Sequence, residues 1–389
     1  MANYATGVNS EILQWAREKA GYSLDEVARS LKKDTETIVR WESGDAFPTY
    51  HQLERLAYSL YKRPIALFFF PRPPEEPDPR ESFRTLPDSE FELLVPDTLH
   101  AIREAQAMQI TLYELTEGRN PSDRVIFRDL ALDPHADAIE RAAVVREYLG
   151  ISLDEQYSWE SPEQALEKWR DAVQDAGIFV FKRAMKQKDV SGFCLLDEEF
   201  PLIYLNNSTA KTRQLFSLFH ELAHILLGTA GVTKVDDRYV FRLTGQSKAV
   251  EVFCNRFSAE LLVPSDDFDQ RLVPAIPVEN LVDALASHYG VSREVILRKL
   301  LDRGIVDQGY YEHMVQKWLD SYQEKEDKGA GGGNYYANQY VYLGQRYLTL
   351  AFARYYDGAY SIHELADYLS IRTKNVPGLE HYFLSRASV

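Results

Sequence analysis

Two histidines stand four residues apart in the stretch LFHELAHILLG, Leu218 to Gly228, with Glu221 directly after the first. On a helix, residues four apart share a face, so His220 and His224 direct their rings at one point while Glu221 sits one step round. That arrangement suits a zinc ion bound by two imidazole nitrogens, with the carboxylate left to act on a water. It equally fits a core helix whose histidines are satisfied by neighbours, and the pentapeptide alone does not choose. A catalytic zinc needs a third protein ligand and an open position. Glu251 answers that need: it is a lone carboxylate near the start of an otherwise apolar helix (Val252, Phe253, Cys254, Phe257, Ala259, Leu261, Leu262), where a charge requires a partner. Glu260 lies about half a turn away at roughly 100° per residue, so the two glutamates cannot share a target. Cys254 is near the Glu251 face and stays open as a thiolate ligand. Asn255, four residues after Glu251, is placed to brace a histidine from behind.

These residues must be held by two apolar helices, predicted over Thr209 to Leu227 and Lys248 to Pro264. Upstream, GIFVFKRA, GFCLLD and FPLIYLNN are short apolar runs bounded by Gly, Asp and Asn, and they read as strands of a small sheet. Further helices are predicted over Asp97 to Thr116, Asp137 to Leu149 and, as one long element, Tyr335 to Tyr356. Two composition breaks divide the chain. FFFPRPPEEPDPR has five prolines between Pro71 and Pro79 and reads as a stiff spacer, and EKEDKGAGGGN reads as a flexible linker. The expected fold is multidomain α+β: an all-α bundle over 1–70, a Pro-rich linker over 71–80, a helical connector over 81–160, an α+β domain over 161–323, a Gly-rich linker over 324–334 and an all-α domain over 335–389.

At 389 residues the chain is long enough for several cores, and 45% apolar with 26% charged residues is the balance of a globular protein. No run approaches a membrane span and no secretion signal opens the sequence, so the expected compartment is the cytoplasm. Two cysteines, Cys194 and Cys254, are too few for a disulfide framework and read as buried free thiols. The net charge of −15 opposes a nucleic-acid partner, but residues 1–70 hold nine Lys and Arg against nine Asp and Glu, so the acidity lies elsewhere.

That neutral segment opens with a helix over Ser10 to Ala20, ended by Gly21. SLDEVARSL follows, with Ser23 and Glu26 in capping-box spacing, and then DTETIVRWESG. Two short helices joined by a tight turn match the helix-turn-helix, whose second helix enters the major groove. Ala16, Arg17, Gly21, Ser23, Glu26, Val27, Ala28, Leu31, Ile38, the Trp41 to Gly44 run, Pro48, Leu53 and Leu56 closely resemble the Xre-type family of phage and plasmid repressors. The resemblance implies that Thr35, Glu36, Thr37 and Arg40 face the groove of a double-stranded operator and that Lys32 and Lys33 meet phosphate. One module offers few phosphate contacts, so a homodimer is expected.

FSLFHELAHILLG followed by EVFCNRFSAELLVP resembles the ImmA/IrrE family of zinc metallopeptidases, in which a histidine pair is followed by E-x-x-A-N-x-F-A-x-x-L-L-x-P. Glu251, Asn255, Phe257, Leu261, Leu262 and Pro264 match, while Cys254 and Ser258 replace small residues. The repressor-like domain, the SFRTLPD segment (Ser82 to Asp88), the peptidase and a linked helical tail also occur together in that family. The resemblance implies a small zincin-like peptidase in which His220, His224 and Glu251 hold Zn2+ and Glu221 takes a proton from the attacking water. Tyr204, Tyr239 and His288 are candidates for the oxyanion donor.

The tail contains an internal echo. SIHELADYL, Ser361 to Leu369, repeats the pattern of SLDEVARSL, and Val376, Leu379 and Glu380 fall at the offsets of Ile38, Trp41 and Glu42. Pro377 and Gly378 are expected to interrupt the reading helix, which makes this a helix-turn-helix-like fold that contacts protein. Two functions follow from the whole chain. One is a DNA-bound regulator whose zinc endopeptidase cleaves a repressor or partner protein. The other is an antitoxin that represses its own operon and sequesters a toxin encoded nearby, with the zinc site structural or vestigial. The free carboxylate of Glu221 favours the first, since a structural site has no use for it.

Overall fold

The SLDEVARSL and DTETIVRWE patterns fold as the helices Leu24–Leu31 and Thr35–Glu42 in a computed structural model of the chain. The structure describes residues 3–76, 78, 80, 83, 91–234, 240, 243–273, 276–326 and 333–387. Most of the SFRTLPD segment, Pro77 and Pro79 of the proline-rich spacer, Tyr239, and residues 327–332 of the glycine-rich linker lie outside the described residues. The chain divides into two compact units, Met1–Glu104 and Ala105–Val389. It is a multidomain α+β protein. Among the described residues no helix is long and apolar enough to cross a membrane.

In the first unit, Ser10–Lys19, Leu24–Leu31, Thr35–Glu42 and Tyr50–Glu54 surround a core of Ile12, Leu13, Ala16, Val27, Leu31, Ile38, Trp41 and Leu53. Ser23 and Glu26 form the reciprocal capping box that their spacing predicts. Lys32 then takes the left-handed conformation (φ 56°), and the Lys33 amide bonds back to the Ala28 carbonyl at 2.9 Å, which makes the turn tight. Arg17 grips Glu42 with two bonds of 2.8 and 2.9 Å, tying the reading helix to the first helix.

The second unit is built on a four-stranded mixed sheet in the order β1-β3-β2-β4, with β1 Phe179–Arg183, β2 Val190–Leu195, β3 Leu202–Asn206 and β4 Val232–Lys234. β1 and β3 are parallel, and β2 runs antiparallel to both β3 and β4. The three predicted runs supply β1 to β3, and both faces of each are buried, which is why they read as continuous apolar stretches instead of alternating ones. β4 is three residues long and carries no such signal. One face, bearing Val180, Cys194, Ile203 and Leu205, packs against the helix Lys211–Leu226, and Gly245–Leu262 packs in turn on that helix. The other bears Phe181, Phe193 and Tyr204; Phe193 and Tyr204 stack at 5.1 Å, and Tyr347 from the tail meets Phe181 edge-on at 5.1 Å.

Two expectations for the tail are corrected. The region predicted as one helix over Tyr335 to Tyr356 is two, Tyr335–Leu343 and Gln345–Tyr356, broken at Gly344 with φ +82°. The cause is Arg170, a buried guanidinium whose Nη1 donates to the Val341 carbonyl at 2.8 Å and which lies where a Cβ of residue 344 would be. Arg170 thus caps the first helix at its negative end and leaves room only for glycine. Pro377 and Gly378 do not interrupt the last helix, which runs Val376–Ala387. They occupy its first turn, where a missing N–H has no partner to lose.

Candidate metal centre

Lys211–Leu226 buries His220, Glu221 and His224 completely or almost so, and Gly245–Leu262 lays Glu251 across them. The second helix is fixed from its far end: Arg146 and Gln156 donate to the carbonyls of Leu261 and Leu262 at 2.8 and 2.9 Å. The two Nε2 atoms are 3.1 Å apart. Glu251 Oε2 lies 3.2 Å from His220 Nε2, and Oε1 lies 3.3 Å from His224 Nε2.

The proton positions decide what these atoms can do. His220 Nδ1 meets Asn255 Oδ1 at 3.0 Å, and an amide oxygen only accepts, so the ring proton sits on Nδ1. His224 Nδ1 meets Thr229 Oγ1 at 3.0 Å, and that hydroxyl donates its single proton to the His224 carbonyl at 3.3 Å, so it too accepts from Nδ1. Both Nε2 lone pairs therefore point at the Glu251 carboxylate. Two imidazole lone pairs and a carboxylate converging in a buried place suit a cation. The spacing of 3.1 to 3.3 Å is close to the roughly 3.3 Å that separates ligands on a four-coordinate zinc, so these residues fit the ion. Gly231 keeps the place open, since a Cβ there would stand 2.7 Å from His224 Nε2.

The titration behaviour has the same origin. Although burial opposes it, the Cys254 and Glu251 groups beside His224 push its basicity well up. Burial would raise Glu251, yet His224 and His220 hold its carboxyl below the ordinary range. A proton takes the role of a cation in this cluster. Glu221 behaves in the opposite sense, because burial raises it more than the histidines and Thr233 lower it.

Cys254 also belongs to the cluster: its thiol and the two histidines have ligand atoms within 4.8 Å of one another, and it contacts His224. Burial raises this thiol and His224 offsets only part of that, whereas the histidines hold the Glu251 carboxyl low, so before an ion binds Glu251 is the readier anion of the two. Glu260 is engaged elsewhere, by Lys299 and Ser265. Glu221 points to the sheet, where its Oε1 accepts from the Thr233 amide at 3.2 Å and from the Thr233 hydroxyl, with the Cys194 thiol against it. Thr229, Gly231, Thr233 and Cys194 have no signal in the sequence, since each reaches the histidines or Glu221 from another element. Of the oxyanion candidates, Tyr204 lies on the sheet face turned away from the histidine helix. His288 stacks on Tyr157 at 4.0 Å in a cluster with Asp267 and Tyr289 by the C-terminal end of the Glu251 helix. Neither reaches the metal-ligand cluster.

On the reading helix Thr35–Glu42, Glu36 and Arg40 are exposed, as are Lys32 and Lys33 at the turn, and Thr35 and Thr37 are half-buried. The Thr35 hydroxyl donates to Asp25 at 2.5 Å, so it braces the turn. Val39 is 44% exposed beside Arg40.

Comparison with known proteins matches two stretches of the chain. Residues 13–57 match the model of a helix-turn-helix family, and residues 173–301 match the model of the IrrE N-terminal-like domain. The radiation response metalloprotease IrrE of Deinococcus deserti is 30% identical over 159 residues, 40% of this chain and 52% of that protein. The chain spans about half the length of this curated relative.

Proposed function

Because residues 13–57 match a helix-turn-helix family and residues 173–301 match the IrrE N-terminal-like domain, we propose that this chain is a transcriptional regulator that cleaves a repressor or partner protein with a zinc-dependent endopeptidase. The observation that carries the reading is the convergence of His220 Nε2, His224 Nε2 and the Glu251 carboxylate, with the two rings aligned by Asn255 and Thr229. In this reading residues 161–323 form the peptidase and residues 1–70 bind operator DNA as a homodimer in the cytoplasm. Zinc held there would supply Lewis-acid activation of a water and of the scissile carbonyl. Glu221 receives the proton of the attacking water and returns it to the leaving amine, so the carboxylate is regenerated. Thr233 orients it through Oε1. A cleft of 1370 Å³ lined by Phe216, Val252, Asn255 and Arg256 adjoins the site and offers room for a peptide.

On the DNA side, Arg40 reaches base edges while Lys32 and Lys33 contact phosphate. The test is co-expression of the full chain with the proteins encoded beside its gene, followed by mass spectrometry of fragments. Wild type is expected to cleave one of them, and Glu221→Gln to retain zinc and lose the fragment. A fragment that persists with Glu221→Gln removes the peptidase assignment. A gel shift on the promoter of its own gene is expected to weaken with Arg40→Ala and with added salt, and indifference to both would make the bundle a protein-binding module.

A further inference from the structure

The tail repeats the first module in its three-dimensional detail. A constant shift along the chain carries Ser23 onto Ser361 and Glu26 onto Glu364, and both pairs form the reciprocal capping box. The same shift carries Lys32 (φ 56°) onto Ser370 (φ 51°), the two left-handed residues of the turn. It carries the Lys33 to Ala28 backbone bond onto Ile371 to Ala366, each 2.9 Å long. Thr35, bonded to Asp25, falls on Thr373, bonded to His363 at 3.3 Å. The core positions Val27, Leu31, Ile38 and Trp41 fall on Leu365, Leu369, Val376 and Leu379, all buried. Glu42, which holds the first helix through Arg17, falls on Glu380, which is held by Tyr356 of the preceding helix. An amphipathic pattern explains the buried positions, but not the matching left-handed turn residue, backbone bond and side-chain bridge.

What differs is the reading face. Lys32, Lys33 and Arg40, exposed cations of the first module's turn and second helix, are replaced by Ser370, Ile371 and Gly378, which removes their charge from the face that would meet phosphate. Gly378 is packed as well: a Cβ there would overlap the Tyr336 ring. One turn on in both helices, Tyr340 meets Tyr382 edge-on at 5.8 Å. The two helices therefore lie side by side in parallel, with Tyr335–Leu343 where duplex DNA would lie. The same helix is tied to the peptidase sheet, because Arg170 donates to its Val341 carbonyl and, through Nε at 3.0 Å, to Val180 of β1. Arg372 and Lys374 do stand at the offsets of Asp34 and Glu36, and they line an open cavity of 790 Å³ with Asp367. We infer that residues 345–387 are a second helix-turn-helix module whose reading face grips the Tyr335–Leu343 helix of its own chain in place of DNA.

Hydrogen exchange on the full chain tests the grip. Tyr336→Ala is expected to speed exchange in residues 335–343 at least tenfold while residues 362–368 keep their protection, and Gly378→Leu, which fills the seat from the other side, is expected to do the same. Unchanged exchange in 335–343 with Tyr336→Ala would overturn the grip. DNA is tested separately by a gel shift with the Lys32→Ala, Lys33→Ala, Arg40→Ala triple variant, whose remaining binding to its own promoter should equal that to a random duplex. A sequence-specific shift that survives this variant and disappears with Lys374→Glu would show that the second module reads DNA, and the inference would fall.

Discussion

Replacing Gly231 by alanine tests the centre from the side that faces the ligand atoms. The new Cβ would stand 2.7 Å from both Nε2 and Cδ2 of His224 and 2.9 Å from Cγ, where ordinary contact begins at 3.4 Å. The ring is held behind by Thr229 and sits in a buried helix, so it must swing away, and Nε2 moves by about 0.7 Å or more. A displacement of that size spoils the alignment that the Nδ1 partner provides, and misoriented ligands lower metal affinity by about 10- to 100-fold. That corresponds to roughly 1.4 to 2.7 kcal/mol. Competition with a chromogenic zinc chelator reads the change directly. A thermal melt of the metal-free protein separates it from simple overpacking, which costs about 1–3 kcal/mol by itself. Wild-type zinc affinity in Gly231→Ala would refute the geometry, since it would mean that His224 Nε2 does not face the ion.

Three further outcomes are expected. Asn255→Ala frees the Nδ1 side of His220 and should weaken zinc by about 10-fold or more in the same competition assay, whereas unchanged affinity would remove Asn255 from the site. Arg17→Ala leaves the Glu42 carboxylate, 9% exposed, without its cation and should cost the first unit about 3 kcal/mol, read as lost hydrogen-exchange protection in residues 13–57. Lys182 is buried on β1 beside Arg170 and Lys211, and burial first, then those cations, lower it from 10.5 to about 6. Between these values the unfolded chain holds a proton that the folded chain releases, so stability rises with pH across that window and the penalty is full below it. Lys182→Met should raise Tm at pH 7, by at most about 5 kcal/mol in free energy, and flatten the pH dependence. Parallel melting curves for the two proteins from pH 6 to 9 would show that the lysine is charged in the fold.

The legible part of this protein is local. His220, His224 and Glu221 share a helix, and helical period alone says which way each points. The capping box at Ser23, the turn and the buried stripe of the reading helix are set by residues within ten positions of one another, so the helix-turn-helix is written in the chain as a contiguous pattern. Glu251 was reachable by a weaker argument, since a charge on an apolar helix needs a partner wherever that partner lies.

Only the tertiary structure decided the rest, and for one reason: each missing contact joins segments whose separation carries no period. Cys194 and Cys254 looked like unrelated thiols until the sheet and the second helix set them against Glu221 and His224. β4 is too short to announce itself, yet it brings Thr233 to the Glu221 carboxylate. Gly344 reads as part of a continuous helix, and the helix ends there because Arg170, from far upstream, takes its carbonyls. Residue types and helical period determined what chemistry the chain is equipped for. Packing determined which lone pairs meet, which groups hold them, and that the tail's reading helix faces a neighbouring helix where its sequence twin faces solvent.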